Sequence, residues 1–105
     1  MSMSNPKRLS AAAVVASLFV LTVQAADPRP AADIYRDYCA VCHSGGWQGA
    51  PIANDTGDWQ TRVDAGFDTM FKNAKNGLNG MPAMGTCMDC TDEELKAAIQ
   101  DMLPQ

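Results

Sequence analysis

Cys39-Ala40-Val41-Cys42-His43 is the part of the chain with most chemistry in it. Two thiols three residues apart lie on one helical turn, where both can add to the vinyl groups of a haem. The histidine directly after them is then aimed at the iron as an axial ligand. Other readings of the cysteines must be weighed. A redox-active C-x-x-C belongs in a βαβ setting, and no strand of convincing length is seen here. A four-cysteine zinc site would use Cys39, Cys42, Cys87 and Cys90, but 44 residues separate the pairs. Zinc ribbons keep about 15–20 between theirs. A plain disulfide would leave His43 without a role. Covalent attachment of one haem c through Cys39 and Cys42 is therefore expected.

His43 is the single histidine of the chain, so two histidines cannot both ligate the iron. Past the leader the methionines are Met70, Met81, Met84, Met88 and Met102. Met70 and Met102 fall at helical core spacing with phenylalanine, leucine and isoleucine, which suits packing. Met81 follows Gly80 in an irregular stretch and precedes Pro82, which biases it to extended backbone. It is the expected sixth ligand, with Met84 its rival. A thioether ligand raises the potential relative to a second histidine and closes the iron to oxygen and peroxide. Cys87-Met88-Asp89-Cys90 cannot hold a second haem, because Thr91 stands where a histidine would be required. In an oxidising compartment this pair is expected to form a disulfide that clips the loop to the last helix. A redox-active dithiol is the alternative.

The elements that must position these groups are short. Lys7 and Arg8, the apolar run Leu9 to Val23 and Val23-Gln24-Ala25 form the three parts of an export signal. Residues 1–25 are read as a signal peptide cut after Ala25, the alternative being an uncleaved anchor. The run falls short of about 20 apolar residues, the length that spans a bilayer. Residues 26–105 then form one domain, outside the cytoplasm.

Asp27-Pro28-Arg29-Pro30 reads as a stiff lead-in. A first helix begins at Ala31 and reaches about Val41, with Ile34, Tyr38 and Val41 in one apolar row. A second runs from about Asp58, its N-cap, to Asp64, and stops at Gly66. A third covers Phe67 to Asn76, and Gly77 ends it. In the last helix Thr91 and Glu94 form a capping box ahead of Leu95, Ala98, Ile99, Met102 and Leu103. The fold class is all-α: about four short helices wrapped around one covalently bound haem. Seven aromatic residues in 105 are few for a free-standing core, and a buried macrocycle would supply the missing apolar volume.

Charge narrows the partners. Twelve acidic residues oppose eight basic ones, and without Lys7 and Arg8 the domain carries −6. It has no basic stripe for a phosphate backbone, so nucleic acid is not an expected partner.

In these features the chain resembles the cytochrome c5 group of bacterial class I monohaem cytochromes c. The resemblance runs from Ile34-Tyr35 to Met102. It takes in C-x-x-C-H, Gly49-Ala50-Pro51, Asp55, Trp59, Arg62, Gly66, Gly77, Met81-Pro82 and the second pair Cys87-x-x-Cys90. It implies a class I cytochrome c fold, Met81 as sixth ligand and a Cys87–Cys90 disulfide. It also implies that Pro51 offers its carbonyl to Nδ1 of His43, and that Trp59 and Arg62 pack near the haem and its propionates. The family's loop commonly reads Met-Pro-Pro-Lys-Gly-Gly-Cys, where this chain has Met81-Pro82-Ala83-Met84-Gly85-Thr86-Cys87. Asn54 replaces a usual glycine, a change suited to left-handed backbone.

The implied function is a periplasmic, or membrane-associated, electron shuttle with no catalytic residues of its own. A quinol-oxidising complex as donor and a terminal oxidase or reductase as acceptor are the implied partners, each with a basic docking patch. Membrane contact would come through those partners or an uncleaved leader. The alternative is a c-type haem protein whose open sixth site serves sensing or small-molecule catalysis.

Overall fold

The computed structural model describes residues 2–4, 10–24 and 26–105. Lys7, Arg8 and Ala25, on which the leader and its cleavage site were read, lie outside the described residues. Residues 10–24 carry no helix or strand, and Val14, Leu18, Phe19 and Leu21 stand exposed. Among the described residues no helix is long and apolar enough to cross a membrane.

The first helix is compound. α1 (Ala31–Ile34) runs through a π-helical turn at Tyr35–Cys39 into α2 (Ala40–His43). The wider i→i+5 turn rotates everything after it relative to a regular helix. It corrects the expected apolar row: Ile34 is buried and Tyr38 half-buried, but Val41 is 80% exposed. The same rotation carries Cys39, Cys42 and His43 to the inner side, with His43 7% exposed.

α3 (Thr56–Ala65) begins two residues before the expected start. Its N-cap is Asp55 rather than Asp58: Oδ1 of Asp55 accepts from the Asp58 backbone N–H at 2.9 Å. The Asp58 carboxylate turns outward instead and takes the Ile52 N–H at 2.9 Å. Two short acidic residues three apart offer the same local signal, and the preceding chain decides between them. Asn54, just ahead of this cap, does adopt left-handed backbone, with φ 64°.

α4 (Phe67–Asn76) has the expected ends and buries Met70 and Ala74. Gly77 follows it with φ 84°, and a methyl there would lie 3.0 Å from both Met81 O and Ala83 N. Only glycine allows the chain to fold back this closely. The return is a tight turn in which Leu78 and Met81 exchange backbone hydrogen bonds of 3.1 and 2.9 Å. A 3-10 turn at Ala83–Thr86 leads to Cys87.

α5 (Asp92–Met102) is the axis of the core. The capping box is complete, with Glu94 N–H donating to Thr91 Oγ1 at 3.1 Å and Thr91 N–H to Glu94 Oε2 at 3.0 Å. Leu95, Ile99, Met102 and Leu103 pack with Trp59, Met70 and Ala74, and Ala98 joins Ile34, Cys87 and Cys90 in a second cluster. Met70 and Met102 thus take the packing role expected of them. An ion pair of 2.9 Å between Lys75 and Asp92 joins the end of α4 to the start of α5.

The Asp27–Pro30 lead-in does more than stiffen the chain. The Arg29 guanidinium reaches Glu94, 65 residues away, at 2.8 Å, and the Arg29 backbone N–H donates to the other carboxylate oxygen at 2.9 Å. Glu94 is 5% exposed, a buried charge made tolerable by these partners. The N-terminal segment is thereby strapped to the helix that carries the core.

Candidate haem site

A cavity of about 240 Å³ opens between α2, α4, α5 and the Gly77–Cys87 loop. Its floor is apolar: Met70, Ala74, Leu95, Ala98, Ile99 and Met102 all line it. Cys39, Cys42, His43 and Met81 line the same cavity. Cys39 ends the π-turn and Cys42 and His43 follow it in α2, so their spacing keeps the three together and the turn faces them to this side.

His43 is held by the loop that follows it. Its Nδ1 lies 2.8 Å from the Pro51 carbonyl oxygen, and its own carbonyl accepts from Ala53 N–H at 2.8 Å. With the proton on Nδ1, the ring is oriented and Nε2 is left as the basic nitrogen. Trp59 stacks on the imidazole, its ring 6.0 Å away and 19° from parallel. The indole N–H donates to Ile52 O at 2.9 Å, so neighbouring carbonyls anchor two neighbouring rings. Arg62 lines the cavity one turn further on, and its Nη1 donates to Asp58 O at 2.7 Å.

Burial pushes the Cys39 thiol up to about 11, with a smaller contribution from Cys42 beside it. That is opposite to the lowered thiol of a redox-active C-x-x-C. Nor do the four cysteines gather. Among the described residues the one cluster of three or more metal-ligating groups is Cys87, Asp89 and Cys90. Cys39 and Cys42 are outside it, so a four-cysteine zinc centre is not assembled.

Cys87 and Cys90 are joined sulfur to sulfur, with Cα atoms 5.4 Å apart. Arg29 Nη2 lies 3.5 Å from Cys90 Sγ, a contact that no local pattern signals. Met84 also lines the cavity, half-buried and packed against both core clusters, whereas Met88 is 73% exposed. Every residue expected around the haem, Cys39, Cys42, His43, Pro51, Trp59, Arg62 and Met81, lines this one cavity.

The donor set and the apolar floor fit a haem c: two thiols, an oriented imidazole and a thioether around a largely apolar recess with Arg62 on its lining. The comparisons agree. Residues 26–100 match the family described as cytochrome C oxidase, cbb3-type, subunit III. Cytochrome c5 of Azotobacter vinelandii is 47% identical over 72 residues, covering 67% of this chain and 87% of that protein. A mono-heme ferrocytochrome c from Shewanella putrefaciens superposes with a TM-score of 0.66 at 51% identity, over 73% of this chain and 95% of its own. A chain from an electron transfer complex of nitrite reductase with cytochrome c matches with a TM-score of 0.66 and 30% identity. That match covers 72% of this chain and 94% of the other.

Proposed function

Since the chain belongs to the cytochrome c5 group of monohaem c-type cytochromes, we propose that it carries electrons with His43 and Met81 as the two axial ligands. It has the small class I cytochrome c fold, is an electron carrier rather than an enzyme, and binds one haem c covalently through Cys39 and Cys42. When bound, the haem supplies an iron that takes up and gives back one electron.

The protein's own residues do the rest. His43 is presented with Nδ1 committed to Pro51 O, and this single observation carries its assignment as the proximal ligand. The bond fixes the ring plane and keeps the coordinating nitrogen basic. Met81 enters from the turn after Gly77 and lines the same recess. Trp59 keeps the imidazole from rotating, and Arg62 stands ready to pair with a propionate. The apolar floor excludes water, which favours the less charged, reduced centre. The Cys87–Cys90 disulfide ties the end of the Met81 loop to the first turn of α5.

Two further readings belong to the same proposal. The leader directs export, and cleavage after Ala25 releases a periplasmic domain of net −6. Its partners are redox proteins that present basic patches, a quinol-oxidising complex as donor and a terminal oxidase or reductase as acceptor. The similarity to a cytochrome c captured with nitrite reductase supports a reductase in the acceptor role.

Oxidised and reduced spectra, with and without carbon monoxide, test the ligand set on wild type and Met81→Ala matured with haem. Wild type is expected to ignore carbon monoxide and the variant to bind it. Ready binding by wild type means an open sixth site and points to sensing or catalysis.

A further inference from the structure

Two loops frame the mouth of the cavity. One follows His43 and contains the 3-10 turn Trp47–Gly49; the other is the Leu78–Met81 turn. Across the mouth, Gln48 lies on Gly80. A methyl built on Gly80 would sit 2.6 Å from Gln48 Oε1, 3.4 Å from its Cβ and 3.6 Å from its Cδ. Gly80 is not in left-handed backbone. The backbone therefore does not need a glycine at this position, and the space a side chain would take is filled by Gln48. Gln48 itself is held in left-handed backbone, with φ 52° and ψ 32°. Non-glycine residues rarely adopt that conformation, and strain of this kind gathers at ligand clamps.

We infer that Gln48 is a positioning residue: laid over Gly80, it latches the Met81 turn to the loop behind His43 and governs how readily Met81 leaves the iron. The inference rests on Met81 being the sixth ligand. Met81 is the next residue after Gly80, and Leu78 and Met81 are bonded to each other. Any opening that swings the thioether away must therefore carry Gly80 off Gln48. The contact involves packing and a Cα–H to carbonyl approach, so its effect is modest.

Imidazole added to the ferric haem protein displaces a thioether only after the turn opens, so its binding rate reads the latch. Gln48→Ala removes the cover and Gly80→Ala pushes it aside. Each is expected to speed imidazole binding about two- to fivefold. The double variant is expected to be no faster than either single one, since both remove one contact. Gln48→Glu, of equal length, keeps close to the wild-type rate. Thermal unfolding midpoints recorded in parallel separate a latch from general loosening, because a latch changes the rate in variants whose midpoints stay put. Unchanged rates, accelerations that multiply in the double variant, or rates that merely follow the midpoints overturn the latch. If wild type lacks the long-wavelength charge-transfer absorption of a thioether-bound ferric iron, the ligand assignment itself fails. That outcome is distinct from failure of the latch alone.

Discussion

The rings of His43 and Trp59 are stacked 6.0 Å apart, and the carbonyls of the adjacent residues Pro51 and Ile52 hold one ring nitrogen each. Two consecutive backbone oxygens thus set the orientation of both rings. Trp59 is 4% exposed and belongs to the main core cluster, so it couples the haem site to α5. Trp59→Phe loses one hydrogen bond and keeps most of the packing, and is expected to cost about 0.5–1.5 kcal/mol. Trp59→Ala empties the site and is expected to cost about 3–5 kcal/mol. Urea unfolding of the haem protein measures both, and near-equal costs would mean that the ring does not pack on the imidazole.

Acid should loosen the N-terminal strap. Hydrogen bonding from the Arg29 guanidinium, then from the backbone N–H groups of Arg29 and Thr91, holds the Glu94 carboxyl at about 2 against an ordinary 4.5. The folded state therefore binds fewer protons than the unfolded chain between those values. The contribution is complete above about pH 4.5 and is lost as pH falls toward about 2. Glu94→Gln is expected to flatten the pH dependence of urea stability across that window. Equal slopes for wild type and variant would remove Glu94 from the acid response.

Thr86 is a β-branched residue with φ 71°, a backbone region that costs an L-residue about 1–2 kcal/mol. The resembling family loop carries glycine here. Thr86→Gly relieves the strain and gives back some of the gain to unfolded-chain entropy, for a net stabilisation of about 0.5–1 kcal/mol. A loss of stability in denaturant titration would mean that the hydroxyl or methyl holds the loop.

Electron transfer to a basic partner should depend on salt. With net −6 on residues 26–105, the second-order rate is expected to fall steadily as ionic strength rises. Stopped-flow oxidation by a purified acceptor at several salt concentrations measures it, and a flat profile would exclude acidic steering.

The readable features were those whose partners lie within one or two turns. Two thiols and a histidine in five residues declare a haem anchor wherever the chain goes, because their spacing alone brings them together. Thr91 and Glu94 form their capping box from a separation of three, and the apolar faces of α4 and α5 follow from the helical repeat. Those residues by themselves determine an all-α haem domain. Tertiary structure decided where the chain doubles back. The π-turn turned Val41 outward and Cys39, Cys42 and His43 inward, since one extra residue in a turn shifts every later side chain. Asp55 prevailed over Asp58 as a cap because Ile52 claimed the second carboxylate. Arg29 meets Glu94 across 65 residues, and Gln48 meets Gly80 across a cavity. Neither contact leaves a periodic or local trace, because each exists only once the separate segments have packed around one centre.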